Sequence, residues 1–298
     1  MNICRINYRG WENSIQLVHG ALKLVVTSAV GPRIIHCGFI DSENLFYEHP
    51  LQAGTSGGNE WKTYGGHRLW CAPEDKEFTY APDNHEVAVE EHPDHVSLTA
   101  QVEQSGVQKT ISIYPIEGKN GFRIVHLVSN RGAAPLHLAP WALTVMRAGG
   151  MAVIPLNLDR PRQLLPTHAI SLWGYTNMAD PRWQWGGRYV FLKQDPAAKS
   201  PQKFGLQNPY GWVAYALDEQ LFIKRFAWKP EAAYPDFNVN FEAYTDKDIL
   251  ELETLAPLVE LKPGDMVSHS EEWYLFRHVP LPRSEKDVDR QILPILNK

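Results

Sequence analysis

The sequence is short of the residues that staple a fold, span a membrane or bind a polyanion. Its three cysteines, Cys4, Cys37 and Cys71, are odd in number and far apart. That pattern suits a reducing compartment and not a disulfide framework, and no Cys/His spacing suggests zinc. No run of about 18 apolar residues occurs, so no membrane-spanning helix is expected. The first residues lack the apolar segment of a secretory signal, and a cytoplasmic protein is the expectation. Positive charge is in deficit, with 29 Lys and Arg against 34 Asp and Glu and no basic block. Nucleic acid and anionic membrane are therefore not expected partners. No G-x-S-x-G elbow, phosphate-binding loop or G-x-G-x-x-G is present. Long amphipathic helices are missing too; only the tail 282–298 reads as a short helix, stopped by Pro294.

What is plentiful is punctuation and tryptophan. The 21 Gly, 22 Pro and 44% hydrophobic content exclude both a helical bundle and a disordered chain. The apolar residues alternate with period two. Residues 14–30 read as a hairpin broken at Gly20, residues 86–103 as a second with a Pro-Asp turn, and residues 109–130 as a third around Gly118–Gly121. Recurrent turns at short spacing predict an antiparallel all-β sandwich or barrel. No low-complexity linker divides the chain, so residues 1–298 are expected to form a single domain. Residues 155–212 are less regular and are expected to contain long loops or an inserted hairpin.

Chemistry-bearing residues gather in a few segments. Between Trp61 and Glu74, the pair Gly65-Gly66 precedes His67, Arg68 and Trp70. A proton donor, a hydroxyl-binding cation and a flat ring in one short stretch are what a sugar site uses. A sheet crossing with a satisfied histidine and a surface Arg–Glu pair is the competing reading. In residues 249–255, alternation puts Ile249, Glu251, Glu253 and Leu255 on one face, where a glutamate among apolar residues gains basicity by burial. A polar outer face of an ordinary strand explains the same pattern. Asp236, Asn238, Asn240 and Glu242 also alternate. Trp141 and Arg147 either border a pocket or are a core Trp and a surface Arg. Trp173, Tyr175, Trp183, Trp185 and Tyr189, interleaved with Arg182 and Arg188, suit carbohydrate stacking or core packing better than single-stranded nucleic acid. His92 and His95 have a metal-like spacing but sit at a hairpin turn.

Taken in order, these segments resemble the galactose mutarotase-like superfamily, which includes aldose 1-epimerases and hexose-6-phosphate mutarotases. Gly31-Pro32-Arg33-Ile34 resembles the family's Gly-x-Arg-Ile element, and residues 64–73 (YGGHRLWCAP) its Gly-Gly segment ending in Pro. LETLAP (252–257), then LKPGD (261–265), then EEWYLF (271–276) is similar to the epimerase ending of Leu-Glu-Thr, a Pro-Gly-acid turn and an aromatic strand. GGHRLWCAPE with ELETLAP looks more particularly like an uncharacterised bacterial branch of that superfamily. The resemblance implies an antiparallel β-supersandwich with few short helices and a sugar site on its concave sheet. It implies that Glu253 takes the proton of the anomeric hydroxyl. Mutarotation moves two protons, so the resemblance implies neither metal nor other cofactor.

The sequence departs from the family at the acid, whose histidine falls on Trp141, and indole is no general acid. His67 is the expected substitute. The phosphate-binding branch has an Arg before Gly-Gly where Tyr64 stands here. The expected site is therefore Glu253 and His67 as base and acid, with Arg33, Arg68, Trp70, Glu74, Trp141, Arg147 and Asp236 binding a small-molecule sugar. The favoured activity is aldose epimerase-like isomerisation. The alternatives are sugar binding or sensing without turnover, or another carbohydrate enzyme, a lyase or glycosidase, on the same fold.

Overall fold

The computed structural model describes residues 1–76, 78–156, 164 and 166–297. Its strands pair antiparallel in two sheets, of eleven and ten strands among the described residues. The three hairpins form as the alternation predicts. Trp11–His19 pairs with Leu22–Val26, Ala88–Glu91 with Val96–Thr99, and Val107–Pro115 with Gly121–Asn130. Inward positions of both sheets, among them Leu24, Ile34, Leu69, Ile111, Ile124, Leu252 and Leu275, form one apolar core. The chain is thus an all-β antiparallel sandwich.

The irregular stretch resolves into strands Ile170–Leu172, Trp183–Trp185, Tyr189–Lys193 and Gln202–Leu206; residues 157–163 and 165 of it lie outside the described residues. Gly186-Gly187 turns the hairpin of Trp183–Trp185 with Tyr189–Lys193. The tail differs from expectation. Ser284 caps a helix over Glu285–Gln291, and Pro294 opens a second helical turn, Leu293–Leu296, instead of stopping the first. Proline fits the start of a helical turn because its missing N–H has no partner there.

Six neighbouring strands of the larger sheet carry the rest of the account: Arg33–Phe39, His67–Ala72, Leu136–Met146, Leu250–Leu255, Phe241–Thr245 and Gln202–Leu206, in that spatial order. Because residues paired across strands share a face, the register decides which side chains meet. His67, Thr144 and Leu252 share the inner face, and Arg68, Leu143 and Glu253 the outer one.

The inner face holds a buried polar network. His126 Nδ1 donates to the His269 carbonyl (3.0 Å), which leaves His126 Nε2 as an acceptor. His67 Nε2 must then donate to it (2.7 Å), and His67 Nδ1 accepts from Thr144 Oγ1 (2.8 Å). His269 Nε2 donates to Thr254 Oγ1 (2.7 Å), and Thr254 donates in turn to Glu271. Lys224 Nζ completes the network, 2.9 Å from Glu271 Oε1 and 3.0 Å from the Leu252 carbonyl. Ligand atoms of His67, His126 and Glu271 lie within 4.8 Å of one another. Trp273 Nε1 takes the other Glu271 oxygen (2.8 Å), so both carboxylate oxygens and the facing imidazole nitrogens already hold protein partners. The group is a hydrogen-bonded network with its own cation.

Burial pushes His67, His126 and His269 down, His269 to about 3. They are neutral when folded and protonate in the unfolded chain below about pH 6.5. Their share of stability is full above that pH and is lost as pH falls, by at most about 1.4 kcal/mol per pH unit for each. Nitrogen-15 NMR of the imidazoles checks this. His126 is expected as the Nδ1–H tautomer and His67 and His269 as Nε2–H, with no titration between pH 8 and 5; an imidazolium signal from any of them at pH 6 would contradict the network.

Candidate sugar-binding cleft

The outer face of the same strands is shaped by a tight crossing. Gly65 and Gly66 have φ of +99° and +71°, and a Cβ on either would lie 2.1 Å from the Tyr47 carbonyl oxygen or 2.3 Å from that of Ile34. Only glycine fits such an approach. Arg33, opposite Arg68 and so on the same outer face, anchors the crossing. Its guanidinium holds Asp83 with two bonds (2.9 and 3.0 Å) and the carbonyls of Lys62, Thr63 and Gly65. The chain then enters the strand His67–Ala72 with His67 facing inward and Arg68 outward.

A cleft of about 310 Å³ opens over this outer face. Its floor includes Arg68, Trp70, Trp141, Leu143, Lys203, Glu251 and Glu253, and its walls Trp61, Glu74, Tyr80, Tyr175, Tyr244 and Asp246. Glu242 stands opposite Glu253 on the next strand, fully buried, and Lys203 bridges the two. Lys203 Nζ lies 2.8 Å from Glu242 Oε2 and 3.1 Å from Glu253 Oε2. Trp141 Nε1 donates to the same Glu253 oxygen (2.9 Å). Glu253 Oε1 is buried without a partner. Arg68 Nη2 binds Glu251 (3.0 Å), while its Nε and Nη1 have none.

The charges explain the protonation. Two cations, Arg68 and Lys203, face three buried carboxyls, Glu242, Glu251 and Glu253. A low-dielectric site disfavours the excess negative charge, so the cluster retains a proton. Burial holds Glu242 well above the usual carboxylate range against the pull of Lys203, and raises Glu251 against that of Arg68. The two glutamates hold the Lys203 ammonium up despite its burial.

The structure brings Glu253, Arg68, Trp70, Glu74 and Trp141 together in the cleft. It does not bring His67, Arg33, Arg147 or Asp236 there. His67 is behind the sheet, so the expected Glu253–His67 acid–base pair does not form; neighbouring residues of a strand point to opposite faces. Arg33 is fully buried and spends its donors on Asp83 and backbone. Arg147 pairs with Glu43 (2.9 Å) and Asp218 (2.5 Å) at a different cavity. Asp236 sits in a turn with φ +51° before its strand begins, where its carbonyl accepts from Ser171.

Trp70 and Trp141 are also not open stacking surfaces. They are 7% and 2% exposed, and the Arg68 guanidinium and the Lys203 ammonium lie 4.4 and 4.7 Å from their ring centres. Trp61, Tyr80 and Tyr175 present the accessible rings. Lys203 escaped the sequence reading. A lysine in QKFGL, a strand otherwise apolar towards the core, is a cation on a half-buried face and calls for a carboxylate; that was the available signal.

Several solved structures share this architecture. A candidate aldose 1-epimerase from Klebsiella pneumoniae aligns with a TM-score of 0.64 at 12% identity, over 99% of this chain and 86% of that one. A galactose mutarotase-like protein from Clostridium acetobutylicum aligns at 0.55 and 10% identity, over 92% and 98%. A TPR-domain-containing protein from Parabacteroides distasonis aligns at 0.58 and 12% identity, over 93% of this chain but 50% of that one. No family model and no curated protein matches the sequence. At these identities the likeness establishes the fold.

Removing Lys203 leaves two facing carboxyls without their cation. Lys203→Met is expected to cost about 3–5 kcal/mol in urea unfolding at pH 8. The cost is expected to shrink towards pH 5, as protonation neutralises the pair. A loss below about 1 kcal/mol, or one independent of pH, would contradict the bridge.

Proposed function

From the galactose mutarotase-like fold of the chain, we propose that residues 1–298 act as a single sugar-binding domain whose cleft opens aldose rings at the anomeric centre. The observation that carries this is the state of Glu253. One carboxylate oxygen is held by Trp141 and Lys203, and the other is buried, unpartnered and at the floor of an aromatic-walled cleft. A hydroxyl that donates to Oε1 completes its hydrogen bonding.

Glu253 takes the proton of the anomeric hydroxyl while Glu251 gives a proton to the ring oxygen. The bond from C1 to the ring oxygen breaks, the C1 carbonyl forms, and reclosure on the other face reverses both transfers. Glu251 suits the acid because it lies two positions along the same strand face, about 7 Å away, and burial favours its protonated form. Arg68, whose Nε and Nη1 have no partner, and the rings of Trp61, Tyr80 and Tyr175 orient the sugar.

A second reading, sugar binding without turnover, is favoured by one observation: the cleft holds no imidazole among the described residues, and indole stands where the resembling family has its acid. NMR exchange rates of aldose anomers separate the two. The isomerase reading expects acceleration of at least one aldose, a drop of about 10²–10⁴ in Glu253→Gln and in Glu251→Gln, and a normal rate in His67→Gln. Sugar-dependent thermal stabilisation without acceleration would establish the binding reading instead. Neither effect across a broad aldose panel would overturn the proposal.

A further inference from the structure

The row of residues that crosses the sheet at Glu251 continues beyond the cleft. Val145 lies opposite Glu251, and Tyr47 N donates to the Val145 carbonyl (2.9 Å) beside the Phe46–Met146 bridge, which sets Tyr47 opposite Val145. Tyr47 and Glu251 are therefore two strand spacings apart, about 10 Å, on the same outer face. At Tyr47 a second and larger cavity opens, of about 680 Å³. Tyr8, His36, Glu48 and Arg147 line it.

This cavity has unspent polar groups. His36 is 4% exposed; its Nδ1 bonds the Tyr8 hydroxyl (2.9 Å), and its Nε2 has no partner. A Cβ on Gly38, two residues along the strand, would lie 3.4 Å from that nitrogen. Glu48 gives one oxygen to Arg9 (3.3 Å) and keeps Oε1 buried and free. Arg147, held by Glu43 and Asp218 through its two terminal nitrogens, keeps a free Nε. Its cations, Arg9 and Arg147, are each met by carboxylates, Arg9 by Glu48 and Arg147 by Glu43 and Asp218, and burial pushes His36 down to about 3, so the imidazole is neutral. A site whose cations are already paired, and in which both donors and acceptors remain unpaired, matches hydroxyl groups, which do both, better than an ion.

We propose that this cavity is a second sugar subsite, and that the ligand is an oligosaccharide reaching from Glu253 past Tyr47 to His36. The proposal rests on the reading of the first cleft as a sugar site. It gives Arg147 a ligand-binding role, but at the second subsite and not beside Glu253.

Calorimetric titration of monosaccharides and their di- to tetrasaccharides tests it, on wild type, Glu48→Gln, Arg147→Met and His36→Gln proteins with unchanged unfolding midpoints. For the monosaccharide that binds, the longer chain is expected to bind at least ~tenfold tighter. The three variants are expected to erase that gain and leave monosaccharide affinity as it was. Equal affinity for all chain lengths, or equal weakening of short and long ligands in the variants, would overturn the second subsite while leaving the first. Failure of every sugar to bind would instead sink the reading of the cleft, and this proposal with it.

Discussion

The ammonium of Lys203 between Glu242 and Glu253 is the interaction on which the cleft depends. Antiparallel register puts the two carboxyls directly opposite each other on neighbouring strands, fully buried. Two ionised carboxylates cannot share such a place without a cation, and Lys203 comes from the next strand over, also in contact with the rings of Trp141 and Trp173. The bridge fixes one oxygen of Glu253 and leaves the other buried without a partner. It also accounts for Trp141, whose indole N–H shares that fixed oxygen and positions the carboxylate instead of supplying a proton.

The strand under this bridge is held from both sides. On its inner face the Leu252 carbonyl takes a bond from Lys224, and Thr254 joins His269 to Glu271. Glu253, between them in sequence, projects the other way. A neutral imidazole chain and a paired buried cation on one face, and a partly protonated carboxyl cluster on the other, make the shared strands stiff where position matters. A side chain held by such a supporting shell keeps a defined geometry without relying on a loop.

Much of this was legible in the residues. Period-two alternation and turn chemistry located the hairpins, and the alternation of residues 249–255 correctly put Ile249, Glu251 and Glu253 on one face. Of the tryptophans in the chemistry-bearing segments, Trp61, Trp70, Trp141 and Trp173 are in the cleft or beside it, while Trp183 packs in the core and Trp185 against it. His67 was misplaced although a signal existed: it alternates with Leu69 and Cys71, both core residues, and so belongs to the inner face. The Arg33–Asp83 pair spans 50 residues, and the Lys203–Glu253 pair another 50, so no local pattern discloses either. Asp236 followed an alternation that begins too early, because the strand starts only at Phe241.

The central claim is that the cleft floor keeps a carboxyl proton at neutral pH, on Glu242 or Glu251. Infrared difference spectroscopy of the unliganded protein at pH 7, comparing wild type with Glu242→Gln and Glu251→Gln, measures it most directly. The account predicts a protonated-carboxyl band in the wild type that weakens or disappears in one or both variants. A wild-type spectrum with every buried carboxyl ionised would contradict it.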